Sequence, residues 1–176
     1  MTRTSVHIPT LETEHLRLRC PRMSDFPAYA AFRGSARAIH VGGPNTEAQA
    51  FDKLGEIIGH WHLRGFGRWV IADKDTDAPL GVTGPYYPSD WPEPEIAWSV
   101  FEEAEGRGVA FEAARASLDY AYDILGWPTA ISCTTPENTR SAALAERLGA
   151  TYEGDFTTVD GLALKVYRHV SPEARA

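Results

Sequence analysis

EGRGVAFEAARA, Glu105 to Ala116, decides the reading of this chain, because two glycines in three residues open an alanine-rich helix. Gly106 and Gly108 can take positive φ angles that let several amide vectors converge. The unsatisfied N–H groups of the first helical turn add the positive end of the helix dipole. Such a turn suits an anionic ligand, a phosphate first of all. It has neither the Lys-Ser/Thr ending of a P-loop nor a three-glycine dinucleotide fingerprint, so nucleotide hydrolysis and hydride transfer lose their main support.

Working outward, EIAWSVF (Glu95 to Phe101) mixes β-branched and aromatic residues and is predicted as a strand. The helix is predicted from about Gly106 to Leu125, with Glu112, Arg115, Asp119 and Asp123 along one face and Ala113, Ala114, Leu118 and Ala121 along another. TAISCTT (Thr129 to Thr135) reads as a buried strand, and Pro136 to Ala150 as a second helix closed by Gly149. Strand, glycine turn, helix and strand make a parallel crossover unit with its ligand site at the strand ends. Nearer the start, LRLRC (Leu16 to Cys20) alternates as an early strand does, and Ser24 or Asp25 can cap a short helix. Thr46 and Gln49 form a capping-box pattern before a helix of about Glu47 to Arg64. GRWVIAD, PLGVTGPYY and EIAWSVF are predicted as an antiparallel meander, and Thr151 to Phe156 with Leu162 to Val170 as a terminal hairpin turning at Asp160-Gly161. The fold class is mixed α/β: a twisted, mostly antiparallel sheet with one parallel pair, flanked by about four helices.

Composition is consistent with one domain over residues 1–176, its ordered core at about 11–170 and its ends, 1–10 and 171–176, frayed. The chain is 43% hydrophobic and holds no apolar run near twenty residues and no charged-then-apolar leader, so a cytoplasmic protein without membrane attachment is expected. Cys20 and Cys133 are the two cysteines, without metal-ligand spacing, and read as buried reduced thiols. His60 and His62 point in different directions on the predicted helix, so no metal is expected. A net charge of −7 argues against nucleic acid as a partner and favours a cationic or neutral acceptor.

The glycine turn and its surroundings resemble the GNAT N-acetyltransferases. That family's acetyl-CoA loop, Gln/Arg-x-x-Gly-x-Gly/Ala, is matched by Gly108 and Ala110 within Glu105 to Ala110. The wider pattern of the ribosomal-protein acetyltransferase (RimJ/RimL-like) branch is matched by Glu95-Ile96, Gly106, Gly108, Ala110, Glu112 and Ala113. Its later Asn-x-x-Ser and Leu-Gly helix end are matched by Asn138, Ser141, Leu148 and Gly149. The resemblance spans about Leu11 to Val170. Glu105 departs from it, standing where the family has Gln or Arg. A carboxylate facing a pyrophosphate is repulsive, so Glu105 is expected to point away, with Arg107 supplying positive charge.

The resemblance implies acetyl-CoA as donor, held by the loop Glu105, Gly106, Arg107, Gly108, Val109 and Ala110, by main-chain groups of Trp98, Ser99 and Val100 where two strands splay, and by Asn138 and Ser141. It implies Glu95 as the group that takes the amine proton, set against the plain reading of a strand-edge carboxylate. Ser141 can protonate the leaving thiolate, a role equally open to Tyr86, Tyr87 or Tyr152. The lip GPYYPSDWPEPE offers Tyr86, Tyr87 and Trp91 to embrace a cation attracted by Asp90 and Glu93, set against a simple hairpin cover. His40, near Gly42-Gly43-Pro44, is a loop histidine or a border of the acceptor pocket. The acceptor is an amine, a protein N-terminus or a small molecule, and the protein a monomer or homodimer. The contrasting class is a noncatalytic acyl-CoA-binding protein of the same fold.

Overall fold

A computed structural model describes residues 6–175. It contains strands β1 (Leu11–Glu12), β2 (Leu16–Arg19), β3 (Trp69–Asp73), β4 (Pro79–Tyr86), β5 (Glu95–Val100), β6 (Ile131–Thr134), β7 (Thr151–Thr157) and β8 (Ala163–Arg168). The helices are α1 (Phe26–Gly34), α2 (Glu47–Arg64), α3 (Val109–Asp123), α4 (Thr139–Arg147) and the short α5 (Pro172–Arg175). The strands form one eight-stranded sheet in the order β1-β2-β3-β4-β5-β6-β8-β7, antiparallel throughout except between β5 and β6. This is the mixed sheet expected from the sequence.

Sheet and helices meet on two faces. On β4, Thr83 reaches Ser117 of α3 at 3.3 Å, whereas Val82 packs with Tyr29, Phe32, Leu54 and Ile57 of α1 and α2. Successive strand residues point to opposite faces, so α3 covers one side and α1 with α2 the other. On β5, Ile96 packs against Ala114 and Leu118 of α3. Glu95 and Ala97 therefore turn toward α1 and α2, which is where the site forms.

Local chemistry sets each boundary. α2 begins at the reciprocal Thr46–Gln49 capping box and buries Ala50, Leu54, Ile57 and Trp61 along one stripe. α3 begins at Val109, three residues later than the sequence suggested, because Gly106 and Gly108 sit at φ values of 70° and 78° and cannot continue a right-handed helix. α4 likewise starts at Thr139, with Asn138 as its cap. Asp25 precedes α1 without capping it, because its carboxylate is held in a bidentate pair with Arg19 at 2.8 Å, both residues fully buried. Gly84 has φ 140°, and a Cβ there would lie 2.8 Å from the Arg68 Cα, so only glycine permits the approach that sets Arg68 beside Tyr86.

Near both ends, described residues pack on or bond to the rest of the fold. Val6 and Ile8 pack on the core, the Pro9 carbonyl accepts from the Trp69 indole at 2.7 Å, and Arg175 of α5 pairs with Asp119 of α3 at 2.6 Å. Residues 1–5 and 176 lie outside the described set.

Candidate active site

β5 and β6 are in register at a single pair, Glu95 and Ile131, and then diverge. Arg168, at the end of β8 and paired in register with Ile131, binds Glu93 through two bonds of 2.7 and 2.8 Å just before β5 begins. The base of the V is therefore pinned, while Trp98, Ser99 and Val100 present an outer edge to open space. That edge forms one wall of a groove of about 680 Å³, bounded also by the turn Glu105 to Ala110 and by the start of α4. No side chain caps the first turn of α3, which leaves its amide donors available to an anion.

Positive charge enters this groove from residues the sequence reading passed over. Arg37, Arg140 and Arg147 line it. Glu105 does not simply point away: its carboxylate is gripped by Arg37 and by Arg140, which holds its pKa down at about 2. Arg107 does not line the groove. Its guanidinium turns back to the Glu103 carbonyl at 3.3 Å and toward Asp73 at 3.7 Å. The guanidiniums beside the glycine turn are thus those of Arg37 and Arg140.

A second cavity of about 220 Å³ opens on the α1/α2 side. It meets the groove at Phe32, His40, Val41, Trp98, Ser99, Asn138 and Ser141, all of which line both spaces. Asn138 accepts the Ser141 amide at 3.2 Å, which fixes the serine at this junction. Glu95 lines the cavity, only 4% exposed, and one carboxylate oxygen accepts the Cys133 amide at 2.8 Å. Burial drives its pKa up to about 7, against the opposing pull of the Cys133 amide, the nearby Trp91 indole and Arg68. A carboxylate of this kind is poised to exchange a proton at neutral pH. The Cys133 thiol, half-buried and not fully enclosed as expected, is pushed well up by burial and by Glu95 and stays protonated.

Of the lip residues, Tyr86 and Trp91 line the cavity and pack edge-to-face at 5.9 Å. Tyr87 and Asp90 do not line it. Tyr87 lies beneath the Arg64 guanidinium at 4.6 Å, and Glu93 is committed to Arg168. The two lip acids expected to attract a cation, Asp90 and Glu93, are thus not on the cavity wall. His60 is likewise committed: its Nε2 accepts the Tyr87 amide at 3.0 Å, so Nδ1 carries the proton and donates to the Phe66 carbonyl at 2.8 Å. Among the described residues no cluster of His, Cys, Asp or Glu could hold a metal. His40 borders both spaces, with Nδ1 2.7 Å from the Thr135 hydroxyl. Tyr152 bonds Asp155 on the exposed face of β7 and lines neither space.

A splayed strand pair with an uncapped glycine turn at its open end is the architecture of an acyl-CoA-dependent transferase. The acetyltransferase (GNAT) domain model matches residues 15–151, and the chain belongs to that family. The structure superposes on an acetyltransferase from Agrobacterium tumefaciens str. C58 with a TM-score of 0.86 and 38% identity, covering 97% of this chain and 99% of that one. An uncharacterized protein of Bacillus subtilis (strain 168), YkkB, is 32% identical over 151 residues, 81% of this chain and 85% of that protein. A RimL ribosomal-protein acetyltransferase in complex with coenzyme A shares the fold at a TM-score of 0.74 and 17% identity, over 93% of this chain and 98% of its own. The protein is an acetyltransferase, and its family's chemistry is acetyl transfer from acyl-CoA to an amine.

Proposed function

We propose that this enzyme passes the acetyl group of acetyl-CoA directly to a primary amine in a ternary complex, with residues 11–170 acting as one catalytic domain. The observation that carries the reading is Glu95, a buried carboxylate with a pKa of about 7, lining the cavity that meets the groove at Ser141. In this scheme Glu95 takes a proton from the acceptor ammonium. The neutral nitrogen attacks the thioester carbonyl, the carbon–sulfur bond breaks, and the second proton that the nitrogen sheds is relayed through the Ser141 hydroxyl to the leaving thiolate. The amides of Gly106 to Ala110 hold the phosphates, aided by Arg37 and Arg140. Trp98, Ser99 and Asn138 hold the extended arm, and a backbone N–H near Val100 polarises the carbonyl. Tyr86 and Trp91 wall the acceptor.

The ribosomal-protein acetyltransferase motifs support a place in or beside the RimJ/RimL-like branch, and a cytoplasmic protein is consistent with a chain in which no described helix could cross a membrane. The test begins with calorimetric titration by acetyl-CoA and CoA, for which micromolar binding is expected. Thiol release is then followed against pH for the wild type and Glu95→Gln. The variant should lose far more rate near pH 7 than at high pH, where the amine is already neutral. Equal losses at every pH would remove Glu95 as the base, and absence of binding at millimolar CoA would remove the scheme.

A further inference from the structure

The acceptor cavity carries a charge opposite to that of the whole molecule. Arg33 and Arg68 both line it, and among the described residues no carboxylate pairs with either guanidinium. Arg33 is 5% exposed. Its Nε donates to Asn45 Oδ1 at 2.8 Å and its Nη1 to the Val41 carbonyl at 2.9 Å, while Nη2 is buried with no partner. Burying a charge without its counter-charge is costly, and an unsatisfied donor on that charge adds to the cost. The two bonds of Arg33 tie α1 to the segment that follows, and neither supplies a counter-charge. Arg68 lies 4.3 Å over the Tyr86 ring, close enough to Arg33 to add to the burial that lowers the Arg33 pKa. Lys53 and Glu56, also on this wall, cancel one another at 2.8 Å. With that pair set aside, two guanidiniums face the space against the one carboxylate of Glu95, and neither forms an ion pair with it.

We propose that the acceptor is a free amino acid, its carboxylate held between Arg33 and Arg68 and its amine turned to Glu95. The proposal rests on the acetyl-transfer reading above and narrows it. Arg33, Arg68 and Glu95 line the same cavity, and Arg68 stacks over Tyr86, the cross-strand partner of Glu95, so the anion site and the base site are neighbours. That spacing matches a molecule with carboxylate and amine on one carbon better than a peptide whose carboxylate lies far along the chain. The 220 Å³ volume fits a molecule of this size, and the walls of Tyr29, Phe32 and Trp91 favour an apolar or aromatic side chain. Two guanidiniums supply the planar donors that a carboxylate accepts in pairs.

The experiment compares kcat/KM for acetyl transfer to L-phenylalanine, its methyl ester and phenethylamine, and to methionine with its two counterparts. A site built to bond a group rejects analogues that lack it, so the amino acids should exceed ester and decarboxylated amine by at least about a hundredfold. Arg68→Gln should collapse that ratio below about tenfold while leaving acetyl-CoA affinity, read by calorimetry, unchanged. Arg33→Lys should do the same if the strap to Asn45 survives. Because that strap can fail, binding of N-acetyl-L-phenylalanine to the CoA-saturated wild type is measured beside it, and this product should bind where its methyl ester does not. Equal turnover of acid and ester, turnover confined to peptides, or an unchanged ratio in Arg68→Gln overturns the amino-acid proposal and leaves acetyl transfer standing. Failure to bind acetyl-CoA removes both.

Discussion

Replacing Glu95 with Gln should make the protein more stable at alkaline pH, and the size of the gain follows from the burial of one carboxylate. Glu95 has its pKa raised from 4.5 to about 7, so the fold binds its proton more tightly than the unfolded chain does. The stability linked to that proton is complete below pH 4.5 and is lost as pH rises through 7. Each pH unit corresponds to about 1.4 kcal/mol, so at pH 8 the ionised side chain costs the fold about 3 kcal/mol. Two other groups act in the reverse sense. His169 is held neutral by burial with a pKa of about 4, and its contribution is lost as pH falls from 6.5 toward 4. Glu105, held at about 2 by Arg37 and Arg140, loses its contribution as pH falls from 4.5 toward 2. The wild-type curve mixes these with the other shifted groups, His60 and His15 among them, whereas the difference between wild type and Glu95→Gln isolates the first. Urea unfolding of both proteins from pH 5 to pH 8 should show the variant gaining about 2.5 kcal/mol relative to the wild type across that range, the remainder having been lost below pH 5. Parallel curves would refute the assignment of a raised pKa to Glu95, whatever the kinetics show.

Gly108→Val places a β-branched residue at φ 78°, at a strain of about 1–2 kcal/mol, and should weaken CoA binding at least about tenfold while the domain still folds. Calorimetry and a melting curve check both halves, and unaltered affinity would discard the phosphate cradle. Glu105→Gln removes a carboxylate from the groove and frees Arg37 and Arg140, so CoA should bind about tenfold tighter, with a steeper salt dependence. Weaker binding would show instead that the clamp organises the loop. Arg19→Met leaves Asp25 buried without its counter-charge and should cost about 3–5 kcal/mol in denaturant unfolding. A loss below about 1 kcal/mol would mean that the pair contributes no more than an exposed one.

The parts of the fold that were legible in the sequence are those fixed by local rules. The Thr46–Gln49 box placed the start of α2 to the residue, the glycines placed the turn before α3, and Asp160-Gly161 placed the last hairpin. Glu95, Gly108, Asn138 and Ser141 stood out through the resemblance of their motifs to the family, and the structure sets Glu95, Asn138 and Ser141 on the cavity and Gly108 on the groove. What escaped was everything decided by long-range encounters. Arg33 and Arg37 sit in a stretch whose sequence marks no face, and only the packing of α1 against β4 and the reach of the following turn give them a role. Arg68 looked like an ordinary residue at a strand entrance until the glycine at 84 let the backbones close. Glu105 drew notice as an anomaly, but its partners lie 68 and 35 residues away and carry no mark in the sequence. Composition was a poor guide to the lip: of its acids, Glu93 is bound to Arg168 and Asp90 lies outside the cavity, while Arg33 and Arg68, which no local signal marks, line it.

The divergence of β5 from β6 gives the sheet an edge in its interior. Open strand edges on a protein surface invite pairing with other chains, and proteins blunt them with charge or irregularity. Here the edge is instead sheltered between α3 and α4, and it narrows to the junction pinned by Arg168. Another polypeptide cannot lie down along it. The fold thus forgoes the bonds that full pairing of β5 with β6 would make and keeps those donors and acceptors in reserve. A slender, extended molecule with amides of its own can use them, and a second strand cannot.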